Sequence, residues 1–259
     1  MHFFRMLAFS LLLGSSAVHA QSFEMRRPSV STGSTVQIIG GQPANPNAWP
    51  ATLWFEGGAG FCTSTVVGPR VVLTAAHCVD NGATGNVRIG NASTSVTCDH
   101  HPGYVNDYRL DIALCLAAGE ITLPNDAPYE TLNVDPLRPP RSSSVTLLGY
   151  GCRRTGGGGP SRALYSGTSD VQSQADDTPY VITSGGAAVC FGDSGGGAYL
   201  SPGTGSRRLF GVNSRGDIIT RSLLSAVAHP AIFRFLRDWS LEKNARICGL
   251  DASLLACRA

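Results

Sequence analysis

The chain has 259 residues, of which 42% are hydrophobic and 15% charged, with a formal net charge of +2. This length and apolar content can bury a substantial core. Arg5, Glu24, Arg26 and Arg27 are the charges before Ile38, and without them positive and negative groups balance, which leaves no electrostatic case for nucleic acid.

The chain opens with Arg5, then an apolar run from Met6 to Leu13 that is too short to span a membrane, then Val18-His19-Ala20. That pattern reads as an export leader (1–20) cut after Ala20, without a cysteine to carry a lipid. Export to an extracellular or periplasmic location follows, with no membrane anchor expected. Residues 21–37 are polar and Ser/Thr-rich and read as a pro-segment; Arg26-Arg27 is either an early nick or a charged turn.

Next comes Ile38-Ile39-Gly40-Gly41, then strand-like runs at Thr52–Phe55, Phe61–Val67, Val71–Ala75, Thr94–Cys98 and Ile112–Leu116. Asp135–Pro140 is Pro-rich and reads as a linker. Beyond it lie Val145–Gly149, Ser166–Val171, Gly197–Leu200, Leu209–Val212 and Ser222–Val227. Gly/Pro-punctuated short strands split near the midpoint predict an all-β domain (38–259) of two barrels or sandwiches, about 38–136 and 137–259. The run Gly156–Gly159 lacks the Gly-Lys-Ser/Thr ending of a phosphate loop and reads as a flexible surface loop. Ile232, Phe235, Leu236 and Trp239 form one apolar stripe, predicting a helix after His229-Pro230 that docks on the second barrel.

Three motifs carry chemistry. Thr74-Ala75-Ala76-His77-Cys78 puts a histidine at a strand end. Asp111-Ile112-Ala113-Leu114 opens a strand with a carboxylate. Gly192-Asp193-Ser194-Gly195-Gly196 sets a serine among glycines. Each alone has an ordinary structural reading: a strand-end histidine, a turn aspartate, a loop. Asp107 is a rival for the acid, but the Ile-Ala-Leu run follows Asp111. His100-His101 reads as a solvated pair on a turn, and Asn91-Ala92-Ser93 as a glycosylation triplet. Eight cysteines in an exported chain favour disulfides, with 105 connectivities open. The absence of C-x-x-C and H-E-x-x-H argues against a zinc site.

Together with Ile38-Ile39-Gly40-Gly41, the His, Asp and Ser motifs in this order resemble the trypsin-like (chymotrypsin-type) serine proteases over about Ile38 to Trp239. The resemblance implies two perpendicular six-stranded antiparallel β-barrels with a C-terminal α-helix. It implies a catalytic triad of His77, Asp111 and Ser194, with an oxyanion hole at the N–H groups of Gly192 and Ser194. It also implies activation by proteolysis, the freed Ile38 amine pairing with Asp193. Gln37 stands where the family usually has Arg or Lys, so self-activation is not expected, and either another protease or cleavage elsewhere followed by trimming is implied. By the resemblance Ala188 falls at the base of the primary pocket and Ser222 on its far wall. Asn213-Ser214-Arg215-Gly216 is by the same resemblance the strand that pairs with substrate backbone, Arg215 standing where the family usually has an aromatic residue. An uncharged pocket for small or medium apolar residues is expected, and Arg215 leaves two alternatives open, an acidic preference or a side chain that points to solvent. The resemblance also implies a Cys62–Cys78 disulfide. Cys98–Cys115, Cys152–Cys190 and Cys248–Cys257 are expected for the rest, with other partnerships open.

The expected protein is a secreted monomeric endopeptidase acting on proteins or peptides, without metal or cofactor. Two other readings stand beside it. One is a silent binding protein on the same fold, should Gln37-Ile38 never be cut. The other is a non-proteolytic esterase, which the lack of a G-x-S-x-G elbow disfavours.

Overall fold

The computed structural model describes residues 38–58, 60–136, 139–160, 162–172, 177–200 and 206–258. The expected leader, pro-segment and Arg26-Arg27 lie outside the described residues.

A short strand, β1 (Gln42–Pro43), follows the buried Ile38 and Ile39. Six strands then close on themselves as a barrel: β2 (Thr52–Gly57), β3 (Gly60–Gly68), β4 (Val71–Thr74), β5 (Thr84–Ile89), β6 (Ala92–His100) and β7 (Ala113–Ala117). β4 is buried along its whole length, so its Val-Val-Leu run suits a strand with both faces covered. β5 was not visible as an apolar run. Its Gly85 lies where a β-carbon would strike the ring of Phe55, and only Val87 is a fully buried apolar residue there.

The second barrel uses β8 (Ser144–Gly149), β11 (Tyr165–Val171), β12 (Tyr180–Ser184), β13 (Gly197–Leu200), β14 (Arg208–Gly216) and β15 (Ser222–Ala226). The order β11-β12-β15-β14-β13-β8 closes through β8–β11 pairing, and β1 adds to the edge of β11. The glycine run is not a loose loop. β9 (Cys152–Arg154) and β10 (Gly158–Pro160) make a two-stranded hairpin, with Gly156 and Gly157 at its turn. The correction has a local cause: a turn at positive φ suits glycine as well as flexibility does.

The helix α1 (Pro230–Glu242) is where the stripe predicts it. The His229 side chain caps it by accepting from the Ala231 amide, and Pro230 occupies the first turn. Its docking differs from expectation. Trp239 Nε1 donates to Asp99 on β6 at 2.8 Å, Lys243 pairs with the same carboxylate, and His101 Nε2 meets the Ala231 carbonyl. The helix therefore lies against the first barrel. Ile232, Leu236 and Trp239 are buried there, each contributing roughly 2 kcal/mol by leaving water. Among the described residues no helix is long and apolar enough to cross a membrane.

Four disulfides staple the fold: Cys62–Cys78, Cys98–Cys115, Cys152–Cys190 and Cys248–Cys257. Cys98 and Cys115 face one another across β6 and β7, bracketing the 101–112 loop. Cross-links enclosing loops of this size contribute about 3 kcal/mol in the chain-entropy view.

Candidate active site

His77 sits on a single 3-10 turn, Ala76–Cys78, directly after β4, and the Cys62–Cys78 bridge ties that turn to β3. Its side chain is 27% exposed, whereas Asp111, at the end of the 101–112 loop, is fully buried. Asp111 Oδ2 lies 2.7 Å from His77 Nδ1, and Oδ1 accepts the His77 backbone N–H at 2.9 Å. Ser214 Oγ donates to Oδ2 at 2.5 Å. Burial opposes a charge on Asp111. The histidine and the hydrogen bonds from His77 and Ser214 outweigh it and hold the carboxyl below its usual value. An anion accepting at Nδ1 leaves Nε2 as the free nitrogen of the neutral ring, the one needed to take a proton.

Ser194 comes from the other barrel, on the loop between Cys190 and β13. Thr63 on β3 clamps that loop to the first barrel. Its N–H donates to Ser194 O at 2.8 Å and its hydroxyl to Gly192 O at 2.7 Å, and the same hydroxyl accepts from Tyr150 N. Behind the loop, Asn213 accepts from Gly195 N and donates through Nδ2 to Leu148 O. Gly192 has φ +95°, and a β-carbon there would overlap the Phe61 ring. Only glycine fits this position. Neither the Gly192 nor the Ser194 amide donates to an acceptor among the described residues. Two unengaged N–H groups beside a hydroxyl can receive a developing oxyanion. Ser194 Oγ makes no hydrogen bond to His77 among the described residues, a contact that commonly tightens only with substrate bound.

Residues 38–232 match the family model described as Trypsin. The chain belongs to the trypsin family. It is a serine-type endopeptidase, a hydrolase of proteins or peptides. Relatives include a trypsin of Saccharopolyspora erythraea, 27% identical, covering 70% of this chain and 87% of that protein. A trypsin-like protease of Streptomyces glaucescens is 27% identical over 84% of this chain and 86% of its own length. Brachyurin of Leptuca pugilator is 30% identical over 61% and 80%. The fold is shared with human heparin binding protein (TM-score 0.63, 20% identity, 78% of this chain and 96% of that one). It is shared also with the VesB protease of Vibrio cholerae (TM-score 0.59, 23% identity, 80% and 68%).

In this protease Ala188 is buried and its amide donates to Ile39 O at 2.9 Å. It shares an apolar cluster with Ile39, Ile218 and the Cys152–Cys190 bridge, against which Phe191 packs. Ser222 Oγ accepts from Val189 N at 3.0 Å, and Gly216 pairs with Ser222 across β14 and β15. Asp217, the nearest carboxylate in sequence, closes its own loop. Its Oδ1 accepts the Ile219, Thr220 and Arg221 N–H groups. The Ser214 hydroxyl serves Asp111, and the Arg215 side chain turns toward Tyr104 and Tyr108. Asp107 pairs with Arg109 instead of with His77.

Asp193 is also fully buried. Its Oδ1 accepts from Gly151 N and its Oδ2 from Cys190 N, each near 2.9 Å. A β-carbon at Gly151 would overlap the carboxyl, so the close approach demands glycine. Burial pushes Asp193 up to about 7, against the pull of those two N–H donors. Ile38 is buried beside Val145, Leu147 and Ala187, with Ile39 bridged to Ala188.

Three contributors escaped the motifs: Thr63, the Ser214 hydroxyl, and Tyr180, whose hydroxyl lies 3.2 Å from Ser214 Oγ. Their partners stand 34 to 129 residues away in the chain, so no local pattern marks them.

Proposed function

We propose that this protease is exported, is activated by release of the Ile38 amine, and cleaves after small or medium apolar residues. His77 Nε2 takes the Ser194 proton as the hydroxyl attacks the scissile carbonyl, then returns it to the leaving amine. Asp111 keeps the imidazole in the required tautomer and stabilises the imidazolium. The Gly192 and Ser194 amides receive the oxyanion, each such donor being worth about 3 kcal/mol in comparable enzymes. Water then hydrolyses the acyl-enzyme by the same proton route reversed.

The observation that carries this reading is the continuous Ser214–Asp111–His77 hydrogen-bond chain beside a serine loop with two open amides. The silent-binder reading is disfavoured because all three triad residues are present.

Four disulfides fit an oxidising compartment, which supports export. The apolar preference rests on Ala188. A cationic side chain would lose hydration there without a countercharge, whereas an apolar one gains roughly 25 cal/mol per Å² buried. Asp193 supports the activation step. A buried carboxylate held by two N–H donors and raised to about 7 gains most from a cation, and a free Ile38 amine supplies one.

The test uses a chain processed to start at Ile38. A serine-directed phosphonate is expected to label Ser194. Matched peptides are expected to give higher kcat/KM after Ala, Val or Leu than after Arg. A higher value after Arg would overturn the pocket reading, and labelling elsewhere would overturn Ser194 as nucleophile.

A further inference from the structure

The edge of β14 changes partner along its length. β13 pairs with it only as far as Val212, the serine loop covers Asn213, Ser214 lies at a register shift, and Arg215 and Gly216 are paired on the β15 side alone. The other edge is open beside Ser194. An extended peptide lying antiparallel on it, with its reacting carbonyl at Ser194, runs past Arg215 with the residues that precede the cleaved one.

Arg215 is an unusual occupant of such an edge. Its side chain is half-buried. Nη2 donates to Tyr104 Oη at 3.2 Å and the guanidinium lies 5.2 Å from the Tyr108 ring centre. Asp111 acts on its charge from further off, and the Tyr180 hydroxyl is a third hydrogen-bonding neighbour of the guanidinium. Asp111 is already committed to His77 and Ser214. Among the described residues no carboxylate comes within ion-pairing distance of Arg215, and its buried Nε meets no acceptor. A desolvated guanidinium with an idle N–H is costly unless something arrives to accept from it. The cage is open to solvent on one side, where Tyr108 is 47% exposed and the neighbouring Val105 80%.

We infer that Arg215, held by Tyr104 and Tyr108 on the open edge of β14, recognises a substrate carboxylate two to four residues before the cleaved bond. The inference rests on the protease reading and narrows its substrates to peptides with Asp or Glu upstream of an apolar residue. The acid preference thus belongs to an upstream position. The side chain points to the tyrosines and leaves the Ala188 pocket uncharged. Arg215 is a specificity residue and takes no part in bond making.

The experiment compares peptides differing only by Glu or Gln at the second, third or fourth residue before a scissile Ala. With the Ile38-started enzyme, kcat/KM is expected to favour Glu about tenfold at one position, as one charge-assisted hydrogen bond provides. That ratio should shrink at high salt, fall to near one in Arg215→Gln, and recover in part in Arg215→Lys. A ratio within twofold at all three positions overturns the inference, as does a ratio that survives Arg215→Gln. Should that variant fail to fold, the parent's ratio and its salt dependence decide alone. Fluorescence anisotropy with the same labelled peptides and Ser194→Ala separates this from the protease reading. Glu-selective binding in a chain whose parent hydrolyses nothing would uphold the subsite and overturn the chemistry. Equal binding of Glu and Gln peptides would overturn the subsite.

Discussion

Asp111 and Asp193 are the same residue type, both fully buried, both touching the machinery around Ser194, and their carboxyls are driven in opposite directions. Asp111 meets a histidine ring, a serine hydroxyl and a backbone N–H, and stays below its usual value. Asp193 meets two backbone N–H groups and rises to about 7. Burial is common to both, so the partners decide. The first barrel gives its carboxylate a histidine, and the second gives its carboxylate only two neutral backbone N–H groups.

Breaking the Asp111 side should cost most. Asp111→Asn keeps the shape but offers the histidine a mixed donor and acceptor, which favours the wrong tautomer. A loss of about 10⁴ in kcat is expected, read by steady-state hydrolysis at neutral pH. A loss below tenfold would mean that Asp111 does not orient His77.

On the Asp193 side the expected loss is smaller. In an Ile38-started chain, Asp193→Asn should lower kcat/KM about 100-fold by releasing the loop that aims the Gly192 amide. The same loss should follow acetylation of the Ile38 amine, checked by mass spectrometry of the modified enzyme. Full activity after acetylation would show that Asp193 has another partner.

The third test concerns stability. The unfolded chain sheds the Asp193 proton near pH 4, and the folded, unprocessed chain keeps it to about 7. Between those values the folded state binds more protons, so stability falls as pH rises, by on the order of 3 kcal/mol in all. Thermal unfolding of a chain starting at Gln21 should show a midpoint falling by roughly 10 °C from pH 4.5 to 8. Asp193→Asn, or processing to Ile38, should remove that contribution. A midpoint insensitive to both changes would refute it.

Much of this was legible in the chain. The apolar runs at Val71–Ala75 and Ile112–Leu116 became β4 and β7, and the stripe from Ile232 to Trp239 became α1. Such runs are visible because burial on one or both faces writes a period into the residues. β12 carries a readable signal too, its Tyr-Val-Ile run lying between Pro179 and Gly185. Where α1 docks was not readable, because Asp99 and His101 lie 140 and 130 residues from their helix partners. The same holds at the site. His77, Asp111 and Ser194 sit in short recognisable motifs, whereas Thr63 and the Ser214 hydroxyl are ordinary residues until the barrels meet. Arg215 could be noticed as a departure, but its tyrosine neighbours come from another loop.

The two ends of the described chain are exchanged between the barrels. β1 near the start pairs with β11 of the second, and α1 near the end bonds to Asp99 of the first. Each half thus wears a strap that belongs to the other. Neither barrel by itself would carry all its own fastenings. The straps also resist a hinge, since swinging the halves apart would unlace both.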